Sequence, residues 1–374
     1  MVDVSAERLP DLYDRWTRAL LGGPIERETR APCNNCVMCK PESSGDSRPP
    51  ADTERVYFKP ETKCCTYVPW LPNFLVGRVL SDGDAAAQVG RRSVEERLRQ
   101  ASGVSPMGLA QPATFAVLYR ESTESFGRSR TLRCPHYLEE SGGCGIWKNR
   151  NSICSTWFCK HVRGARGYSF WRSLQSTLDA VELDIARWVI LDLDPQPDDL
   201  ENIMATRAWQ GRDEELTGAA IDRTVDNDEY RKVWGAWLGR EEEFFRRCAQ
   251  KVDELSWPDV IARCGPGTKA LALQSARVYR ELHTDDIPDV LVPGPYSLVS
   301  RNNGHSLIDS YRGYDPIEVP DVLLNVLSAF DGRNTDDVLQ AIASEHNITL
   351  QDDLVRKLVD FRVLVPKRKS TGET

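Results

Sequence analysis

The sequence predicts an α+β fold, mainly α, with a metal-organised cysteine-rich domain first, then a helical domain and a winged-helix-like C-terminal domain. Three observations predict it. Nine of the eleven cysteines lie between Cys33 and Cys159, where an even scatter would place about four. After Gly167 apolar residues recur at alternating steps of three and four, the period of a helix with one buried stripe. The last ninety or so residues read helix, helix, helix, strand. The boundaries fall at 1–165, 166–285 and 286–374, and 374 residues are enough for two or three domains.

In the first segment breakers are frequent and long-range periodicity is weak, as expected where ligand bonds replace a large apolar core. Residues 40–54, KPESSGDSRPPADTE, are rich in Ser, Pro and charge and read as a solvated loop. VYF at 56–58 and FAVLY at 115–119 read as short strands. In the second segment Trp171, Leu174, Leu178, Val181, Ile185 and Trp188 define a helix over 169–191. Tyr230, Val233, Trp237, Phe244, Cys248, Val252 and Leu255 define a second long helix, and Leu271 to Leu282 a third. These aromatic stripes are core, since every amphipathic helix must bury such a face. Cys248 belongs to that face as a small hydrophobe. Cys264 has no assigned role.

The third segment begins extended through PGPYSLVS. Val322 to Phe330 is an apolar run that ends at Asp331-Gly332. Thr335 is placed to cap the next helix, Thr349 with Asp352 resembles a capping box, and RVLVP closes as a strand. No internal repeat of solenoid length is present.

With 40% apolar and 28% charged residues and no apolar stretch near the ~20 residues that span a bilayer, the composition is that of a soluble globular chain. The N-terminus, MVDVSAERLPDLYDRWTRALLGG, lacks the basic start and apolar centre of a signal peptide, so a cytoplasmic location with reduced thiols is expected. Clustered cysteines in a reducing compartment point to metal ligation or redox chemistry rather than disulfides. Cys33-Asn-Asn-Cys36-Val-Met-Cys39 can turn three thiolates toward one centre. Cys64-Cys65 follow, then Cys134, Cys144, Cys154 and Cys159. Four thiolates suit either zinc or a [4Fe-4S] cluster; a chain with five histidines leans toward iron–sulfur. His136 and His161 lie beside the second group and read as helper residues before ligands, His161 being the better ligand candidate.

The net charge of −8 hides an asymmetry. From Phe126 to Arg172 nine Lys or Arg face two acids, a local +7 against −15 elsewhere. These cations either compensate metal-bound thiolates or form a site for an anionic cosubstrate or an acidic polypeptide next to the metal, and Arg150, Lys160 and Arg163 are the cofactor-binding candidates. Nucleic acid is disfavoured because no base-stacking aromatic spacing accompanies the charge. From Asp321 to Thr374 nine acids face seven bases, which leaves peptide or protein contact as the better reading of the last domain.

At these residues the sequence resembles the zinc- or iron-chelating cysteine-cluster family, whose pattern is CxxCxxCC with a later cysteine block. Cys33, Cys36, Cys39 and Cys64-Cys65 match the first part, and CPHYLEESGGCGIWKNRNSICSTWFC the second, with a loop inserted before the vicinal pair. The resemblance covers about 130 residues and implies metal ligation by the nine cysteines. Through flagellin lysine N-methylases, which that family is similar to in part, it also implies S-adenosylmethionine as a cofactor. The C-terminal segment resembles winged-helix peptide-binding chaperone domains. The expectation is therefore a metal-binding, iron–sulfur protein that modifies a peptide or protein. The alternatives are a non-enzymatic zinc-stabilised interaction module, a metal store, and an S-adenosylmethionine-dependent lysine methylase.

Overall fold

In the computed structural model of the chain, residues 9–33, 35–39, 58–194, 200–204 and 227–367 are described. The loop expected over 40–54 and the first two residues of VYF lie outside them. Phe58, the third, forms a parallel bridge with Cys39.

Helix α1 (Asp11–Leu21) follows Pro10 and stops at Gly22, whose φ of 76° lets its N–H reach Arg18 O at 3.0 Å. Strands β1 (Leu71–Pro72), β2 (Val104–Ser105) and β3 (Gly108–Leu109) form a small antiparallel sheet in the order β1-β3-β2. Between them lie α2 (Asn73–Ser81) and α3 (Gln88–Arg99). FAVLY, read as a strand, is instead the centre of helix α4 (Ala113–Glu121). A five-residue apolar run fits either state, and Ala113 and Pro112 at its start favour the helix. A two-stranded ladder pairs β4 (Tyr137–Leu138) with β5 (Gly143–Cys144). Asn151 caps the short α5 (Ser152–Thr156) by accepting from Cys154 N at 3.0 Å.

The helix expected over 169–191 is α6 (Gly164–Leu193). Its Phe170, Leu174, Leu178, Val181, Ile185 and Val189 are buried, each contributing about 1.5–3 kcal/mol. Such a sum outweighs the cost of the buried carboxyl on the same helix, Glu182. After α7 (Leu200–Met204), the second long helix expected from periodicity is two helices, α8 (Asn227–Trp234) and α9 (Glu241–Asp253). Gly235 and Gly239, at φ 46° and 75°, break the run while the apolar phase survives the break. Gly77 of α2 lies against α9 so closely that a Cβ there would collide with Phe245 O. Helices α10 (Trp257–Arg263) and α11 (Pro266–Leu282) complete this part. Cys264 is buried where α10 ends.

One apolar core runs from Leu9 to Cys264 and takes residues from α1, α2, α6 and α9 alike. A second runs from Leu291 to Leu364. In this C-terminal part β6 (Leu291–Pro293) pairs with β10 (Leu364–Pro366), and β7 (Ser297–Asn302), β8 (His305–Asp309) and β9 (Ile317–Pro320) form an antiparallel sheet. Helices α12 (Asp321–Val326), α13 (Thr335–His346) and α14 (Asp352–Asp360) follow. Asn334, not Thr335, caps α13, accepting from Asp336 N and Asp337 N. Thr335 is buried with its hydroxyl on Pro288 O. The cap of α14 is Gln351, without a side-chain bond, so Thr349 forms no capping box there.

The chain is thus mainly helical with small antiparallel sheets, but two parts of the expected fold class are corrected. Among the described residues no clear wing is present: the three-stranded sheet precedes the helices, and strand β10 after them pairs back to β6. Nor is the N-terminal part organised by metal. Its Leu12, Tyr13, Trp16, Leu71 and Phe74 are fully buried in the same core as α6, so apolar packing holds it.

Candidate functional site

The cysteines read from the sequence do not converge as ligands. Cys36 and Cys39 sit in one turn, closed by Cys39 N donating to Cys36 O at 3.0 Å. Cys64 and Cys65 end a second turn over 59–65. Cys134 is tied to that turn by its N–H on Cys65 O at 2.8 Å. Cys144 lies on β5, Cys154 on α5, and Cys159 is buried beyond it. Cys33 supplies a carbonyl to Lys63 Nζ at 2.8 Å.

Among the described residues no two cysteines form a disulfide. Burial, more than any neighbouring charge, pushes the Cys39 and Cys159 thiols up to about 12 and raises Cys134, Cys144 and Cys154 as well. Among the described residues no group of three or more His, Cys, Asp or Glu is placed so that it could hold a metal ion. The expectations of an iron–sulfur cluster, of zinc, of a cysteine-cluster domain and of a metal-dependent modifying enzyme are corrected on that finding. The spacing of the cysteines is compatible with ligation, but the fold spreads them over two turns, a strand and a helix.

The candidate anion-binding cations have local partners. Arg150 is buried, its guanidinium 3.5 Å from the Trp147 ring centroid and bonded to Trp147 O and Cys154 O. Arg163 pairs with Asp360 at 2.5 Å and donates to Leu282 O. Lys160 lies beside Cys159 and opposes the retention of its thiol proton.

Two buried acids organise the region, and sequence reasoning missed both. Glu182 is fully buried and accepts from Tyr13 Oη, Ser152 N at 2.6 Å and Ser152 Oγ at 2.9 Å, which joins α1, α5 and α6. Burial pushes its carboxyl up to about 8 against those hydrogen bonds. A signal existed, because Glu182 falls on the apolar stripe four residues after Leu178 and three before Ile185. Asp315, also fully buried, pairs with Arg30 at 2.8 Å and accepts from Tyr311 Oη and from His161 N at 2.9 Å. It reaches from the β8–β9 loop onto the segment that carries Cys159 and His161. Arg312 from the same loop donates to Phe158 O at 2.8 Å and lies 5.0–5.3 Å from the ring centroids of Trp157, Tyr168 and Tyr314. On the other side Val162 N and Trp171 Nε1 donate to Glu28 at 2.6 and 2.7 Å.

His161 is therefore clamped, with Nδ1 3.3 Å from Tyr311 Oη. Burial first, then Arg312 and Arg30, lowers it to about 3. His136 is lowered to about 3 by burial and by Arg97, and its Nδ1 meets Ser93 Oγ at 2.7 Å. Both are neutral polar tethers.

Comparison of the chain with protein-family models, with curated proteins and with solved structures finds no match. The resemblances to the cysteine-cluster family and to winged-helix chaperone domains are corrected accordingly, and S-adenosylmethionine-dependent methylation loses the resemblance that implied it.

The remaining exposed recognition element lies in the C-terminal part. Strand β7 is an edge of the β7-β8-β9 sheet, six residues long, and is mostly exposed. Leu298 stands opposite Ile308, which is fully buried in the core, yet Leu298 is 54% exposed. The apolar face of the sheet therefore continues onto β7 without cover, and Tyr296 just before the strand is exposed as well. A bulge between Leu298 and Ser300 shifts the register at this point. Among the described residues no helix is long and apolar enough to cross a membrane.

Proposed function

We propose that the protein recognises an extended polypeptide segment, which adds as a strand to the outer edge of β7. The observation that carries this reading is the exposed Leu298 beside a strand edge that no strand among the described residues pairs with. An edge offers alternate backbone N–H and C=O groups to a further strand, and a side chain of that strand covers the exposed apolar face. The C-terminal part favours a basic segment. From Asp285 to Pro366 fourteen Asp or Glu stand against six Lys or Arg, a net −8 equal to that of the whole chain.

The test is fluorescence anisotropy of the full-length protein against a library of basic, neutral and acidic peptides. Basic peptides should bind. Leu298→Asp should weaken them by about tenfold or more, since covering one leucine contributes about 1.5–3 kcal/mol. Val299→Pro, which removes a backbone donor from the strand, should weaken them too. Binding that both variants leave intact, or no binding of any peptide, overturns the reading.

A further inference from the structure

The free thiols are independent of that edge, and one pair of them is arranged for chemistry. We propose that Cys36 and Cys39 form a redox-active dithiol that exchanges with small disulfides of the glutathione class and closes to an intramolecular disulfide. A turn closed by an i+3 to i backbone hydrogen bond holds its end Cα atoms within about 7 Å, the span a disulfide bridges. Closure therefore needs side-chain rotation and little backbone movement.

The surroundings give the two sulfurs different tasks. Cys36 lies between exposed Asn35 and exposed Val37, so a disulfide from solution reaches it first. Cys39 is held from behind: Met38 is buried, and Phe58 N donates to Met38 O at 2.7 Å while Phe58 bridges Cys39. Lys63 Nζ, bonded to Cys33 O and Gly142 O, fixes a positive charge within electrostatic reach of Cys39. Cys64 and Cys65 are the poorer pair, because adjacent residues must distort the backbone to form a disulfide ring.

The exchange balances as two substitutions at sulfur. The Cys36 thiolate attacks one sulfur of the small disulfide, forms a mixed disulfide and releases one thiolate, which takes up the proton Cys36 lost. The mixed disulfide then draws in Cys39, whose thiol gives up its proton as its sulfur bonds to the Cys36 sulfur, and the second small thiol leaves with that proton. The dithiol is oxidised by two electrons and one small disulfide is reduced to two thiols.

The test incubates the reduced full-length protein with glutathione disulfide, quenches with acid, alkylates, and maps cysteines by peptide mass spectrometry. The expected result is the loss of two alkylatable thiols with the cross-link between Cys36 and Cys39. Cys64, Cys65 and Cys134 should remain alkylatable. Cys39→Ser should stop at a glutathione adduct on Cys36, and Cys36→Ser should lose the cross-link altogether. A cross-link at another pair, an unchanged thiol count, or closure that survives in Cys39→Ser overturns the proposal. The wild-type map decides the matter even if a serine variant fails to fold.

Discussion

Glu182 and Asp315 are both fully buried carboxyl groups, yet they are stabilised in different ways. Glu182 lies inside the larger core and is met by a phenol, a hydroxyl and one backbone N–H. Asp315 lies where the C-terminal part meets the segment around His161, and there a guanidinium faces it. A buried acid without a countercharge keeps its proton, whereas one with a countercharge acts as the anion of an ion pair. One core is thus closed by a neutral hydrogen-bonded knot, and the junction between the cores by a charged one.

The comparison breaks most severely at Asp315. Asp315→Ala takes the anion from half-buried Arg30 and the acceptor from Tyr311 Oη and His161 N, and should cost about 2–4 kcal/mol in chemical denaturation. It should also make the C-terminal part unfold separately from the rest. A single transition with an unchanged midpoint would show that the junction is held by packing alone.

Glu182 comes next, and its signature is pH. Its carboxyl is raised from the ordinary 4.5 to about 8, so the folded state holds a proton that the unfolded state releases. Its contribution is complete below about pH 4.5, falls as pH rises through the window to 8, and is lost above it, a change on the order of a few kcal/mol. Glu182→Gln keeps a neutral group in place and should flatten that part of the stability profile. Parallel profiles for variant and wild type would mean that Glu182 is ionised throughout.

The smallest effect tests local rather than buried polarity. Asn334→Ala removes the cap of α13 and should cost about 1 kcal/mol, felt in the C-terminal part only. A loss of several kcal/mol would mean that Asn334 also supports the bridge to Val290.

The sequence disclosed what is periodic. The stripe of α6 and the apolar phase of α8 and α9 follow from spacing, even though glycines at 235 and 239 divide the second run. It did not disclose what depends on distant partners. Arg30 and Asp315 are 285 residues apart, and neither has a local pattern that names the other. The exposed edge of β7 likewise depends on which strands neighbour it, not on its own residues. The cysteines were the misleading case. Their spacing admits ligation, but the fold spreads them over two turns, a strand and a helix, and among the described residues no three of them are placed to hold a metal ion. FAVLY shows the same limit on a small scale, since five apolar residues carry too few turns to fix a period.

The long separation of Arg30 from Asp315 also orders events during synthesis. Translation at roughly 5–20 residues per second puts about a quarter of a minute to one minute between the emergence of the cation and that of its anion. Tyr13 meets Glu182 after only 169 residues, so the neutral knot can tie first. A nascent chain stalled before residue 315 carries a closed first core, while the segment around Cys159 and His161 still awaits the loop that covers it.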